Sequence, residues 1–139
     1  MLAVLLAAVF PYLTPKPMNL RADTNDLVAN LRLARDLAIS RTTRYRVVVR
    51  DRTSYALQRG TWDGVRWTFA DERVIRLREN VQFSAMTRDG QGVEFDSRGR
   101  PVGTGGLVGG QLLPLTLEDQ SRGERRSVLV TSVGGVVEQ

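Results

Sequence analysis

Apolar positions change their spacing twice along this 139-residue chain, and each change marks a boundary. MLAVLLAAVF (1–10) is apolar throughout and runs into Pro11. Beyond the prolines, in RADTNDLVANLRLARDLAIS (21–40), Leu27, Leu31, Ala34 and Ala38 recur at i, i+4, i+7 and i+11, with Val28 and Leu37 widening the stripe. That spacing predicts an amphipathic helix. Asp23 or Thr24 is expected to cap its start, and Asp26 suits the first turn. From Tyr45 the period becomes two. It predicts strands over 45–50, 53–59, 65–69, 72–77, 80–86, 92–95, 112–118, 125–132 and 136–138, separated by turn residues such as Asp63-Gly64 and Gly134-Gly135. One helix followed by many short strands predicts an α+β fold, with the helix packed on antiparallel sheet. The stripe itself reads as core.

GRPVGTGGLVGG (99–110) holds six glycines and is expected to be a loop. It contains no G-x-x-x-x-G-K-[ST] pattern, and no helical pattern follows it, so it is not read as a phosphate cradle.

The opening segment is too apolar for an ordinary terminus and too short for a bilayer, which takes roughly 20 apolar residues. No basic residue precedes Leu2, and Pro11, Tyr12 and Leu13 do not make a small-residue cleavage site. A membrane helix missing its front, a buried helix and an unusual signal peptide all remain open on this stretch alone.

Composition removes several chemistries. The chain has no cysteine and no histidine, hence no disulfide, no thiolate site and no Ser-His-Asp or Cys-His centre. Glu118-Asp119 are adjacent in an expected strand and point to opposite faces, so they form no ready acid–base pair; Asp96-Ser97 suggests none either. No EF-hand spacing is present. The expectation is a protein that is not an enzyme and holds no metal or cofactor.

Charge adds one candidate surface. The net charge is +5, and residues 1–87 carry +6 while 88–139 carry −1. Arg44, Arg46, Arg50 and Arg52 share one parity, opposite Tyr45, Val47 and Val49; Arg41 precedes them, and Arg76 and Arg78 would extend the face if their strand lies alongside. Arginines on one face can neutralise phosphates, so these seven are candidate DNA-binding residues. The competing reading is a solvated polar sheet face. Trp62 and Trp67 read as hairpin packing rather than base-stacking residues. Arg35, on the helix, either meets a partner or an internal carboxylate or is simply solvated.

The order of elements then becomes recognisable. L31-R-L-A-R-D-L-A-I-S-R41, through Leu31, Ala34, Arg35, Ala38, Ile39 and Arg41, passes straight into a first strand and resembles the helix core of the GspH/FimT family of minor pseudopilins and minor pilins. YALQRGTWDGVRW resembles that family's early hairpin, VEFDSRGRPV its apolar-x-F-x-x-x-G motif at Val93, Phe95 and Gly99, and RRSVLVTSVGGVV its closing strands around Gly134 or Gly135. The likeness runs in order along the chain. It implies a pilin-like fold with residues 1–13 as the distal part of an N-terminal membrane and filament-core helix. Residues 14–44 would be linker and amphipathic helix, and 45–139 a β-rich globular domain. Leu2, Val4, Leu5, Leu6, Val9 and Phe10 would pack against neighbouring subunits or lipid. The family's basic leader and peptidase site are not seen before Met1, so the resemblance implies that about ten to a dozen helix residues and a leader precede it.

The role implied is assembly: a subunit of a type IV pilus or type II secretion pseudopilus. Its partners would be other pilins or pseudopilins and the inner membrane, with the domain on the periplasmic side. DNA uptake, with double-stranded DNA as partner, is the alternative.

Overall fold

The computed structural model describes residues 17–104, 107–108, 111–112, 114–131 and 133–138. The apolar segment, with Leu2, Val4, Leu5, Leu6, Val9 and Phe10, lies outside the described residues. Among those described, no helix is long and apolar enough to cross a membrane.

Helix α1 spans Pro17–Ser40. Its stripe is buried as the spacing predicts: Leu27, Leu31, Ala34 and Ala38 have no exposed surface, and Leu20 extends the row. The capping expectation is overturned, because the helix runs through Asp23 and Thr24. Thr24 Oγ1 donates to the Leu20 carbonyl four residues back (2.7 Å), and that bond lets a hydroxyl sit inside a helix. Asp23 turns to a tertiary partner, accepting from the backbone N–H of Arg78 (2.8 Å) and from its guanidinium (2.6 Å).

The helix ends in a Schellman motif. Thr43 N–H donates to the Ala38 carbonyl (3.2 Å) and Thr42 N–H to that of Ile39 (3.3 Å), with Thr42 at φ +51°. Strand β1 (Tyr45–Asp51) follows at once and pairs antiparallel with β2 (Ser54–Trp62) and β5 (Gly92–Phe95). With β3 (Trp67–Arg76) and β6 (Pro101–Thr104) they make a five-stranded sheet ordered β3-β2-β1-β5-β6. A second sheet is ordered β11-β10-β9-β4, from β4 (Val81–Phe83), β9 (Leu115–Asp119), β10 (Glu124–Val130) and β11 (Val136–Glu138). The hairpin of β7 (Leu107–Val108) and β8 (Gln111–Leu112) completes the set.

Both sheets pack on α1, and one core joins all three. Tyr45, Val47 and Val49 of β1 meet Tyr55 and Leu57 of β2, Val93 and Phe95 of β5, Phe83 of β4, Leu115 and Leu117 of β9 and Val128 and Val130 of β10. Each large side chain contributes about 1.5–3 kcal/mol by leaving water. Tyr55 keeps its polar end satisfied: the Asn30 side chain donates to its hydroxyl (3.0 Å).

Three expectations on strands are corrected. Residues 65–69 and 72–77 are not two strands but parts of β3, where Leu57 faces Arg73 and Gln58 faces Asp71. Glu72 is therefore an extra, bulged residue, and it breaks the alternation that a sequence reading relies on. The glycine-rich stretch is not all loop, since β6 within it pairs with β5 from Phe95–Pro101 to Gly92–Thr104. Pro101 is tolerated there because β6 is an edge. The strand expected over 112–118 is divided between β8 and β9.

Candidate functional site

The parity argument for β1 holds for three arginines. Arg44, Arg46 and Arg50 lie on the sheet face away from the core, but they are not a free cationic strip. Gly60 makes room on that face: a Cβ there would come within 3.0 Å of Phe69 and 3.1 Å of Trp67. The Arg46 guanidinium lies 3.8 Å above the Phe69 ring and donates to Gln58 Oε1 (2.5 Å). Gln58 in turn donates to Asp71 (2.7 Å), and Arg50 closes the row with an ion pair to the other oxygen of Asp71. Gln58, then Arg50, hold the Asp71 carboxyl below its usual range, while burial lowers Arg46. Arg44 sits 5.1 Å over Trp67 and pairs with Glu94 (2.9 Å), a carboxylate almost wholly buried.

The remaining four arginines go elsewhere. Arg41 donates to the Tyr45 hydroxyl (2.6 Å) and to Glu72 (3.1 Å). Neighbouring Asp71 and Glu72 take different partners, Gln58 and Arg50 for the first, Arg41 and Tyr45 for the second. Burial raises the Tyr45 phenol, and its hydrogen bond to Glu72 (2.9 Å) adds to that. Arg78 binds Asp23 and Asp26 on the helix, so it does not extend the β1 face. Burial pushes the Asp23 carboxyl up against the pull of Arg78. Arg52, on the β1–β2 turn, and Arg76, at the end of β3, are exposed and make no ion pair among the described residues. The structure thus brings Arg44, Arg46 and Arg50 together with acids and aromatics, and it scatters the rest.

A second arrangement joins three of the motif residues. Arg35 Nε donates to the Gly99 carbonyl (3.2 Å), and a Cβ on Gly134 would fall 2.4 Å from that oxygen and 2.8 Å from Arg35 Nε. Gly99 and Gly134 both hold positive φ, +78° and +88°, so glycine is required for backbone conformation and for space. Arg35 therefore crosses two turns, one from each sheet. Its partner is a carbonyl, neither a carboxylate nor open solvent. Ile39 packs beside it, 2.7 Å from the Cβ position of Gly99.

Of the acidic residues considered above, Asp96 and Asp119 are used in turns and Glu118 in pairing across strands. Asp96 accepts from the amides of Arg98 and Arg100 (both 2.9 Å) and pairs with the Arg100 side chain. Burial pushes its carboxyl up, and those amides and Arg100 outweigh it and hold it low. Asp119 bonds Ser121, while Glu118 takes Gln82 and Arg125. Sequence reasoning missed Gln58, Asp71 and Glu94 as partners of the arginines. Their parity on adjacent strands is the only signal they leave, and it is readable only once the strand order is known.

Comparison with known proteins fits this architecture. The family model for the type II transport protein GspH matches residues 23–134. No curated protein matches the chain. Among solved structures, the type IV minor pilin FimU of Pseudomonas aeruginosa superposes with a TM-score of 0.62 at 13% identity, covering 89% of this chain and 90% of its own. The minor pseudopilin EpsH of the Vibrio cholerae type 2 secretion system does so with a TM-score of 0.54 at 18% identity, over 86% and 94%. At these identities the two neighbours establish the pilin-like fold, and the match over 23–134 establishes that the chain belongs to the GspH family.

Proposed function

We propose that this chain is a minor subunit of an extracytoplasmic filament, a type IV pilus or a type II secretion pseudopilus, with a structural role. The GspH match over residues 23–134 carries this reading. The apolar residues 1–13 would lie in the inner membrane before assembly and in the filament core afterwards, with Leu2, Val4, Leu5, Leu6, Val9 and Phe10 against neighbouring helices. The test is co-isolation of the tagged chain with the major subunit of each filament from the native host. Recovery with one of them identifies the system, and recovery with neither removes the reading.

A second reading, DNA binding, is favoured by exposed Arg52 and Arg76, which make no ion pair among the described residues. It draws less support from Arg41, Arg44, Arg50 and Arg78, which pair with carboxylates, and from Arg46, which is engaged by Gln58 and the Phe69 ring. Duplex binding measured across salt concentrations decides it. The reading requires a steep fall with salt and loss in the R52Q/R76Q double variant; duplex binding that is salt-indifferent or absent in dilute salt removes it.

A further inference from the structure

At the end of the domain where α1 stops, a cleft of about 380 Å³ opens between Thr42, the Arg44–Trp67 stack and the turn that carries Asp96, Arg98 and Arg100. Two of its three guanidiniums are already fixed. Arg44 is held between Glu94 and the Trp67 ring, and Arg100 is tied to Asp96. A guanidinium has five N–H donors, so a single carboxylate partner leaves others free to point into the cleft. Arg98 is exposed and has no ion-pair partner among the described residues. Thr42 adds a hydroxyl from a backbone position with φ +51°, where glycine is the usual occupant. Threonine occupies it at a conformational cost.

We propose that this cleft is an oxyanion site that takes a carboxylate from an acidic segment of a neighbouring filament subunit. The charge balance selects that partner. Glu94 and Asp96 offset Arg44 and Arg100, which leaves about the charge of Arg98 to be matched by the ligand. One carboxylate satisfies it, in the forked geometry that arginine favours. Duplex DNA presents a charge about every 1.7 Å along its axis and calls for a run of uncompensated cations, which this cleft lacks. The identity of the partner rests on the filament reading, whereas the anion site itself does not.

The experiment uses the full chain in detergent and a fluorescein-labelled hexaglutamate peptide, followed by anisotropy. Saturable binding is expected, weakening as salt screens it. Arg98→Glu should weaken it about tenfold or more, while Arg122→Glu, on the exposed β9–β10 turn far from the cleft, should leave it within about twofold. Melting curves accompany both variants, and Arg98 is exposed enough that its replacement should not disturb folding. No saturable binding, or an equal loss in Arg122→Glu, overturns the site. Displacement of the peptide by duplex DNA at a lower charge concentration than by free hexaglutamate overturns the occupant. Arg98→Glu should also reduce co-isolation with the filament without changing the chain's recovery in membranes. If the wild-type chain binds peptide yet co-isolates with no filament, the subunit reading fails and the anion site stands.

Discussion

Thr42 occupies a left-handed backbone position that costs a non-glycine residue about 1–2 kcal/mol. Its amide closes the Schellman motif, so the conformation cannot relax without undoing the helix end. Thr42→Gly should therefore raise stability by about 1 kcal/mol, net of glycine's greater freedom in the unfolded chain, and thermal unfolding read by circular dichroism checks it. Tyr55 makes a prediction in pH. Burial pushes its phenol up to about 12, from 10 in the unfolded chain. The native state then keeps a proton that the unfolded state gives up, so this contribution is intact below pH 10 and is lost as pH rises through about 12. Two pH units correspond to about 2–3 kcal/mol. Tyr55→Phe should cost about 1 kcal/mol at pH 7, where it loses the Asn30 hydrogen bond. It should also flatten the decline between pH 10 and 12, which denaturant melts across that range would read.

At the scale of elements, what is legible in the sequence is whatever depends on one element's own periodicity. The α1 stripe is legible because burial on one side of a helix leaves a 3.6-residue signature, and β1 because Tyr45, Val47 and Val49 alternate with Arg46, Val48 and Arg50. Features that depend on two elements are not. The Glu72 bulge breaks the alternation of β3, β6 hides behind glycines, and Asp23 looks like a cap until Arg78 is seen beside it. The sheet-face arginines are legible as a set, whereas the pairing of Arg44 with Glu94 and of Arg50 with Asp71 depends on neighbouring strands. Arg35 falls between the two cases, since its motif is visible but its contacts are not. Because it ties α1 to turns from both sheets, Arg35→Ala should do more than lower stability by about 1 kcal/mol. Amide exchange should quicken at Gly99 and Gly134, whose N–H groups close those turns onto Asp96 and Thr131. An equal quickening across all of β1 would show that the arginine acts on the whole domain instead.

On the filament reading, the whole molecule separates folding from assembly. Buried side chains from Leu20 to Val130 form one cluster, in which α1 is covered by both sheets. Residues 1–13 carry a different instruction, an apolar run with Pro11 at its end. If the domain's stability resides in that cluster, deleting residues 1–13 should leave the melting temperature within a few degrees of the full chain's, a shift worth less than about 1 kcal/mol. The same deletion should abolish recovery in membranes and co-isolation with filament subunits, since it removes the apolar surface that would bury against lipid or neighbouring helices. A truncated chain that melts far below the full one would mean that the segment folds back as part of the core. A truncated chain that still co-isolates would move the assembly contacts onto the globular domain. The cleft beside Arg98 is where such contacts would then be sought, because an anion site on the domain needs no apolar helix to engage a neighbour.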